Sequence, residues 1–215
     1  ILNFIKNTKN PPYFSVIIPT WNTPEIFLRK CLDSVMYQSY PFWEVCIADN
    51  GSTLNNTVQI LEEYANRDSR FRINYLKENL GISKASNIAI ENSKYDYIAL
   101  LDHDDTFDKD ALYEFASFIS ENKDADFIYS DDDKIDEEDK RSEPNFKPDW
   151  SPELLLSTMY ICHLAVYRKE LVIKAGLFRF EFDGTQDYDL ALRVTEIAKG
   201  IYHIPKILYH WRMSS

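Results

Sequence analysis

The sequence predicts an α/β fold: a mostly parallel central sheet with helices on both faces. Two observations lead there. Through residue 131, short β-rich runs alternate with segments of helical period, the order that builds βαβ units. The runs are also apolar at successive positions, as strands covered on both faces are.

The elements follow in order along the chain. FSVIIP (Phe14 to Pro19) is a first strand. Glu25 to Gln38 carries Ile26, Leu28, Cys31, Leu32 and Val35 at helical spacing. VCIAD (Val45 to Asp49) is a second strand, and Leu54 to Ala65 a helix with Val58, Leu61 and Ala65 on one face. FRINYL (Phe71 to Leu76), Tyr97 to Leu101 and Phe127 to Tyr129 supply three more strands. Ile82 to Ile90 and Lys109 to Ile119 are the helices between them. Past Asp131 an acidic loop and the prolines Pro144, Pro148 and Pro152 introduce a mixed region. With no repeat or low-complexity linker, residues 1–215 read as a single domain.

Composition narrows the function classes. A chain of 215 residues with 45% hydrophobic side chains can fill a sizeable core. Net charge of -11 argues against a nucleic-acid backbone or an anionic membrane as the main partner. No apolar run is long enough to span a bilayer. Cys31, Cys46 and Cys162 are scattered in apolar segments and read as reduced core thiols, hence an expected cytoplasmic location. The start at Ile1 and the stop just after a strand-like segment suggest a domain of a longer protein.

The strand ends are polar. FSVIIP runs into Thr20, Trp21 and Asn22, VCIAD into Asn50-Gly51-Ser52, and IALL into Asp102-His103-Asp104-Asp105. In open parallel sheets, ligands bind at the carboxyl ends of the strands. Three carboxylates within four residues repel one another, and a hard divalent cation neutralises such a set through oxygen ligands. The plainer alternative is a solvated turn, with Asp108 capping the next helix.

These residues resemble the inverting family-2 glycosyltransferases of the GT-A (Rossmann-like) fold, of the bacterial cell-surface-polysaccharide and adhesin-glycosylation kind. The resemblance runs from VIIPTWN (Val16 to Asn22) to LYHWR (Leu208 to Arg212). Its markers between are ADNGST, NLGISKASN, LLDHDD, YSDDDK, FKPDWSPELLLS and GTQDYDLALRV, in that order. It implies a nucleotide-sugar-binding half (1–131) and a smaller, mixed acceptor-binding and catalytic half (132–215). The implied reaction is metal-dependent transfer from a UDP- or dTDP-sugar to a glycan or glycoprotein hydroxyl, with oligomeric state left open.

Site roles carry over by position. Pro19, Thr20 and Asn22 would line the base, and Asp49 would accept the pyrimidine imide N–H. Gly81, Lys84 and Asn87 would border the donor, Lys84 near a phosphate and Asn87 near the ribose or holding the adjacent loop. Ser86 stands where many relatives carry Arg. Asp102 and His103 would lie at the donor, and Asp104 would bind the cation. His210 would complete that metal site, which favours Mn²⁺ over Mg²⁺ because imidazole suits it better. Asp187, in the first turn of a helix capped by Thr185, would be the general base, preferred to Asp189. Gln186 stands where the family commonly has Glu. The helix dipole is expected to lower the pKa of Asp187. Asp131, Trp150, Tyr160 and Trp211 are candidates for the sugar or acceptor side; His163 and His203 read as satisfied core histidines. Two other readings stand beside this one. One is a catalytically inactive nucleotide-sugar-binding or scaffolding domain. The other is a nucleotidyltransferase, for which the first-strand segment VIIPTWNTPEIF lacks a basic, glycine-rich loop.

Overall fold

The computed structural model describes residues 1–213, apart from the side chain of Asn55. The first half contains α1 (Leu2–Asn7), β1 (Phe14–Thr20), α2 (Glu25–Met36), β2 (Trp43–Asp49), α3 (Asn55–Arg67), β3 (Phe71–Tyr75), α4 (Ile82–Glu91), β4 (Tyr97–Leu100) and β5 (Thr106–Phe107). Then come α5 (Ala111–Glu121), β6 (Ala125–Ile135), β7 (Arg141–Asn145), α6 (Pro152–Ser157), β8 (Ala165–Arg168), α7 (Lys169–Lys174), α8 (Gln186–Thr195) and β9 (Gly200–Arg212). A 3₁₀ turn, Phe180–Phe182, precedes α8.

The strands join in the order β3-β2-β1-β4-β8-β6-β9-β5, with β7 on β6. β1 to β4 pair in parallel. β8 runs against both of its neighbours, and β6 and β9 are again parallel. The α/β fold is the one the alternation predicts, but the sheet is mixed and not mostly parallel: among the described residues four pairings are parallel and four antiparallel, because β8 inserts against β4 and β6 while β5 and β7 run against β9 and β6. Side chains of a strand point alternately to the two faces, and β1 shows it. Phe14, Val16 and Ile18 join one core with Leu28, Leu32, Leu61 and Phe115. Ile17 joins a second core with Ala85, Ala89, Val172 and Leu190. The first core lies under α2, α3 and α5, the second under α4, α7 and α8.

Two departures from the sequence reading matter for function. β6 is longer than the Phe127 to Tyr129 core of its pattern and crosses residue 131 without a break. Asp131, Asp132 and Asp133 are therefore mid-strand residues, not a strand end. The acidic side chains hid the strand, because each is paired inside the fold and β-propensity does not register that. Helix α8 begins where expected, but Thr185 does not cap it with its side chain; the hydroxyl turns back to the Phe182 carbonyl instead.

Candidate active site

The carboxyl ends of β1, β2 and β4 meet at one rim. A cleft of about 240 Å³ opens there, lined by Pro19, Thr20, Trp21, Asn50, Asn79, Ile82 and His103. Its walls are tied across the sheet. Asn22, at φ +48°, accepts hydrogen bonds at Oδ1 from the Thr53 and Leu54 amides (2.8 and 3.1 Å). The Asn50 amide donates to Asn79 Oδ1 at 2.9 Å and accepts from the Leu80 N–H at 2.8 Å. Gly51 sits at φ +70°, where a Cβ would lie 2.6 Å from the Glu78 carbonyl carbon, so no larger residue fits. Three polar atoms around this rim are buried without a protein partner: Thr20 Oγ1, Asp49 Oδ1 and His103 Nδ1. Buried polar atoms are normally paired. Orphans gathered at one cleft point to a ligand that supplies the partners.

The three neighbouring carboxylates resolve their repulsion in three ways. Asp105 is fully buried and accepts from the Tyr209 hydroxyl (2.6 Å) and the Arg212 amide (2.7 Å). Burial, reinforced by the charge of Asp102, pushes its pKa up to about 7. Asp102 lies 3.3 Å from Nε2 of His163. Burial opposes its ionisation, but the imidazolium outweighs that and holds its pKa below the usual carboxylate range. Asp104 is left without a close partner: its side chain is 39% exposed, about as much as that of Asp102 (38%), and its neighbour at ion-pair distance among the described residues is the His103 ring at 3.9 Å. The loop beneath is fixed by Arg212, whose Nε donates to the Asp104 carbonyl at 2.8 Å.

His163 is the functional candidate that sequence reasoning missed. It is buried, stacks on Tyr209 (centroids 4.7 Å apart) and meets Trp211 edge-on. Burial alone would lower its pKa; the charge of Asp102 reverses this and raises it to about 9. A small cavity is lined by Asp102, His163, Gln186 and Asp187, with Pro19, Ile82 and Ser86. The sequence carries one signal for His163, a histidine inside an otherwise apolar run (Tyr160 to Val166), and that signal fits core packing equally well.

Asp187 enters this cavity from the first turn of α8. Leu190, Ala191 and Val194 are fully buried behind it, and each such aliphatic side chain contributes about 1.5–3 kcal/mol of anchoring when larger than alanine. Burial raises the Asp187 pKa to about 6, against the opposing charge of His163. The expected lowering by the helix dipole is thus overridden by desolvation. Asp189 is engaged by Arg179 and Arg193 and serves the fold.

Other predicted residues lie apart from this cluster. His210 is out of phase with Tyr209 and Trp211 on β9; its Nδ1 meets Asp133 at 2.5 Å. Strand alternation puts it on the face away from His163, and no group of three metal-ligating side chains is preformed among the described residues. Asp131 is buried and accepts from the Lys147 amide (2.9 Å), with His203 at 2.8 Å, so it holds the fold and does not face the cleft. The Asn87 amide clasps the backbone of Phe178 in both directions (2.8 and 2.9 Å) and so holds the adjacent loop. Lys84 is exposed and lies over the Phe180 ring. Gly81, at φ +87°, starts α4 beside the Asp183 carboxylate. Trp150 and Tyr160 pack against the second core, while Trp211 stays 43% exposed beside His163.

Comparison with known proteins decides the family. The sequence model of "Glycosyl transferase family 2" matches residues 15–176. The chain belongs to glycosyltransferase family 2. An uncharacterized protein of Sinorhizobium fredii is 43% identical over 97% of this chain. The O-antigen biosynthesis protein RfbC of Myxococcus xanthus is 38% identical over 95% of it. The chain spans only 23% and 16% of those two relatives' own length. Among solved structures, residues 1–349 of TarS from S. aureus in complex with UDP match with a TM-score of 0.79 at 26% identity, covering 94% of this chain and 61% of that one. The match to TarS shows that the chain has the GT-A fold. No described helix is long and apolar enough to cross a membrane.

Proposed function

We propose that this family-2 domain transfers a sugar from a UDP- or dTDP-sugar, with inversion at the anomeric carbon, to a hydroxyl of a glycan or glycoprotein. The observation that carries the reading is the shared cavity of Asp102, His163 and Asp187 beside a cleft lined by Thr20 and His103, each with an orphaned polar atom, and bordered by the end of β2, where an oxygen of Asp49 is likewise orphaned. The UDP-bound structural neighbour supports a uridine donor, and the polysaccharide-synthesising relatives support a glycan acceptor.

Each residue then has a task. The unpaired oxygen of Asp49 accepts the imide N–H of the base, and Trp21 supplies an exposed aromatic wall for it. Asp102, held ionised, accepts from the ribose. Asp104 offers the exposed carboxylate of the set that, among the described residues, has no partner closer than 3.9 Å, which fits Mg²⁺ or Mn²⁺, ions commonly held by one or two carboxylates plus water and phosphate. When bound there, the cation would stabilise charge on the departing diphosphate. Asp187 accepts the acceptor hydroxyl proton as that oxygen bonds to the anomeric carbon. The bond to the nucleoside diphosphate breaks, and the diphosphate leaves with the electron pair. A base with pKa about 6 is ionised at neutral pH and still basic enough to take part in proton transfer. Trp211 is placed to pack against a sugar ring.

The test is nucleotide release from a panel of UDP- and dTDP-sugars with Mn²⁺, with and without glycan acceptors. Release with at least one donor, lost in Asp187→Asn, is expected. Binding of nucleotide without turnover across the panel would instead favour an inactive binding domain.

A further inference from the structure

We propose that His163 is a positioning residue for sugar transfer, acting by holding Asp102 in the donor cleft. The inference rests on the reading given above, in which Asp102 faces the donor. Four contacts fix the imidazole. Its ring stacks on Tyr209 at 4.7 Å with 17° between planes, and Trp211 closes the edge at 6.0 Å. The Lys147 ammonium, itself buried, grips the His163 carbonyl. Nε2 lies 3.3 Å from Asp102 Oδ2.

This is more than a core residue requires. A phenylalanine would stack on Tyr209 equally well without burying two ring nitrogens, and Nδ1 is indeed buried with no partner. The fold tolerates that orphan. What the histidine adds over a hydrocarbon ring is the contact with Asp102. Among the described residues no other cationic side chain lies within ion-pair distance of that carboxylate. Tyr209 holds the same residue by its backbone: its hydroxyl accepts from the Asp102 backbone N–H at 3.3 Å and donates to the Asp105 carboxylate. Tyr209, His163 and Asp102 thus form one rigid stack that ends at the cleft. Its outer edge is Trp211, so the acceptor wall and the donor-side carboxylate are built on the same imidazole.

The test is a double-mutant cycle on UDP binding in the presence of Mn²⁺, read by calorimetry for the wild-type chain, His163→Phe, Asp102→Asn and the double variant. Melting temperatures are recorded in parallel. His163→Phe should weaken UDP about tenfold with its melting temperature kept, and His163→Gln, which retains a donor, should fall between the two. In the Asp102→Asn background the His163→Phe change should cost less than twofold. Equal UDP affinity in His163→Phe and wild type, or the same loss in both backgrounds, overturns the proposal. Should His163→Phe fail to fold, the cycle is run with His163→Gln, and full additivity with Asp102→Asn again overturns it. Failure of the wild-type chain to bind UDP is a different result and refutes the functional reading itself.

Discussion

Replacing Asp187 by Asn is the perturbation with the most to say about chemistry. The substitution keeps the shape and removes the proton acceptor. Asp187 accepts from the Gln186 side chain at 3.2 Å and has no cationic side chain at ion-pair distance among the described residues. Little native pairing is therefore lost, and the melting temperature should hardly move. Positioned bases contribute roughly 10²–10⁴-fold, which is about 3–5 kcal/mol of barrier at 1.36 kcal/mol per decade. The same residue sets a pH profile. With a raised pKa of about 6, the carboxyl is about nine-tenths ionised at pH 7 and about one-tenth at pH 5. The base form is the active one, so kcat/KM should rise as pH increases through 6 and then level, a change of about tenfold from pH 5 to 7. The assay is nucleotide release at saturating and subsaturating donor across that range. Asp189→Asn is the control. Its carboxylate is 7% exposed between Arg179 and Arg193, so its loss should cost on the order of 2 kcal/mol of stability, below the fully buried case because Arg179 is half exposed. Near-normal turnover in Asp187→Asn, or a flat profile from pH 5 to 7, would refute the base assignment.

Three further outcomes are expected. Asp49→Asn presents an amide where the base needs an acceptor. A hydrogen bond to a charged group contributes about 1.5–3 kcal/mol, so the UDP Kd should rise at least about tenfold by calorimetry, and an unchanged Kd would move the base elsewhere. Asp104→Ala should abolish metal-stimulated turnover, and chelation should do the same to the wild-type chain, reversed by Mn²⁺ only where Asp104 is present. Lys147→Met leaves Asp132, its partner at 2.6 Å, with only the Asn145 amide, and removes the donor that serves the Ser130, Ile161 and His163 carbonyls in the interior. Breaking a buried pair costs about 3–5 kcal/mol, so urea unfolding should shift accordingly; a loss below 1 kcal/mol would show that Lys147 is dispensable.

The sheet was legible because its signal is local. Apolar runs of strand length and helical periodicity need no knowledge of partners, and β1 to β4 with α2 to α5 follow from them. The rim was legible for the same reason, since parallel strands put their ends together. What the sequence could not show is how charges pair across long separations. Read alone, the acidic cluster calls for a cation to neutralise it, but not for the partner each carboxylate has. In the fold Asp102 has His163, sixty-one positions later, and Asp105 has Tyr209 and Arg212. Asp104 is left, among the described residues, with no partner closer than the His103 ring at 3.9 Å. The family resemblance of YHWR implies a ligand at His210, but a motif does not show that its Nδ1 pairs with Asp133 across β6, one step along the strand from the Tyr209 and Trp211 side chains that meet His163. Asp131 reads as a rim residue because the apolar pattern stops at Tyr129, six residues before β6 ends at Ile135, and along that stretch Lys147, Arg141 and the histidines of β9 pair with what propensity treats as loop.

The most direct test of the account is a crystal of the chain with a UDP-sugar and Mn²⁺, measured at the manganese absorption edge. The account predicts an anomalous peak in contact with the Asp104 carboxylate and the diphosphate, with the uracil against Asp49 and the anomeric carbon facing Asp187. A nucleotide bound away from the ends of β1, β2 and β4, or a diphosphate beside an Asp104 that touches no cation, would contradict it.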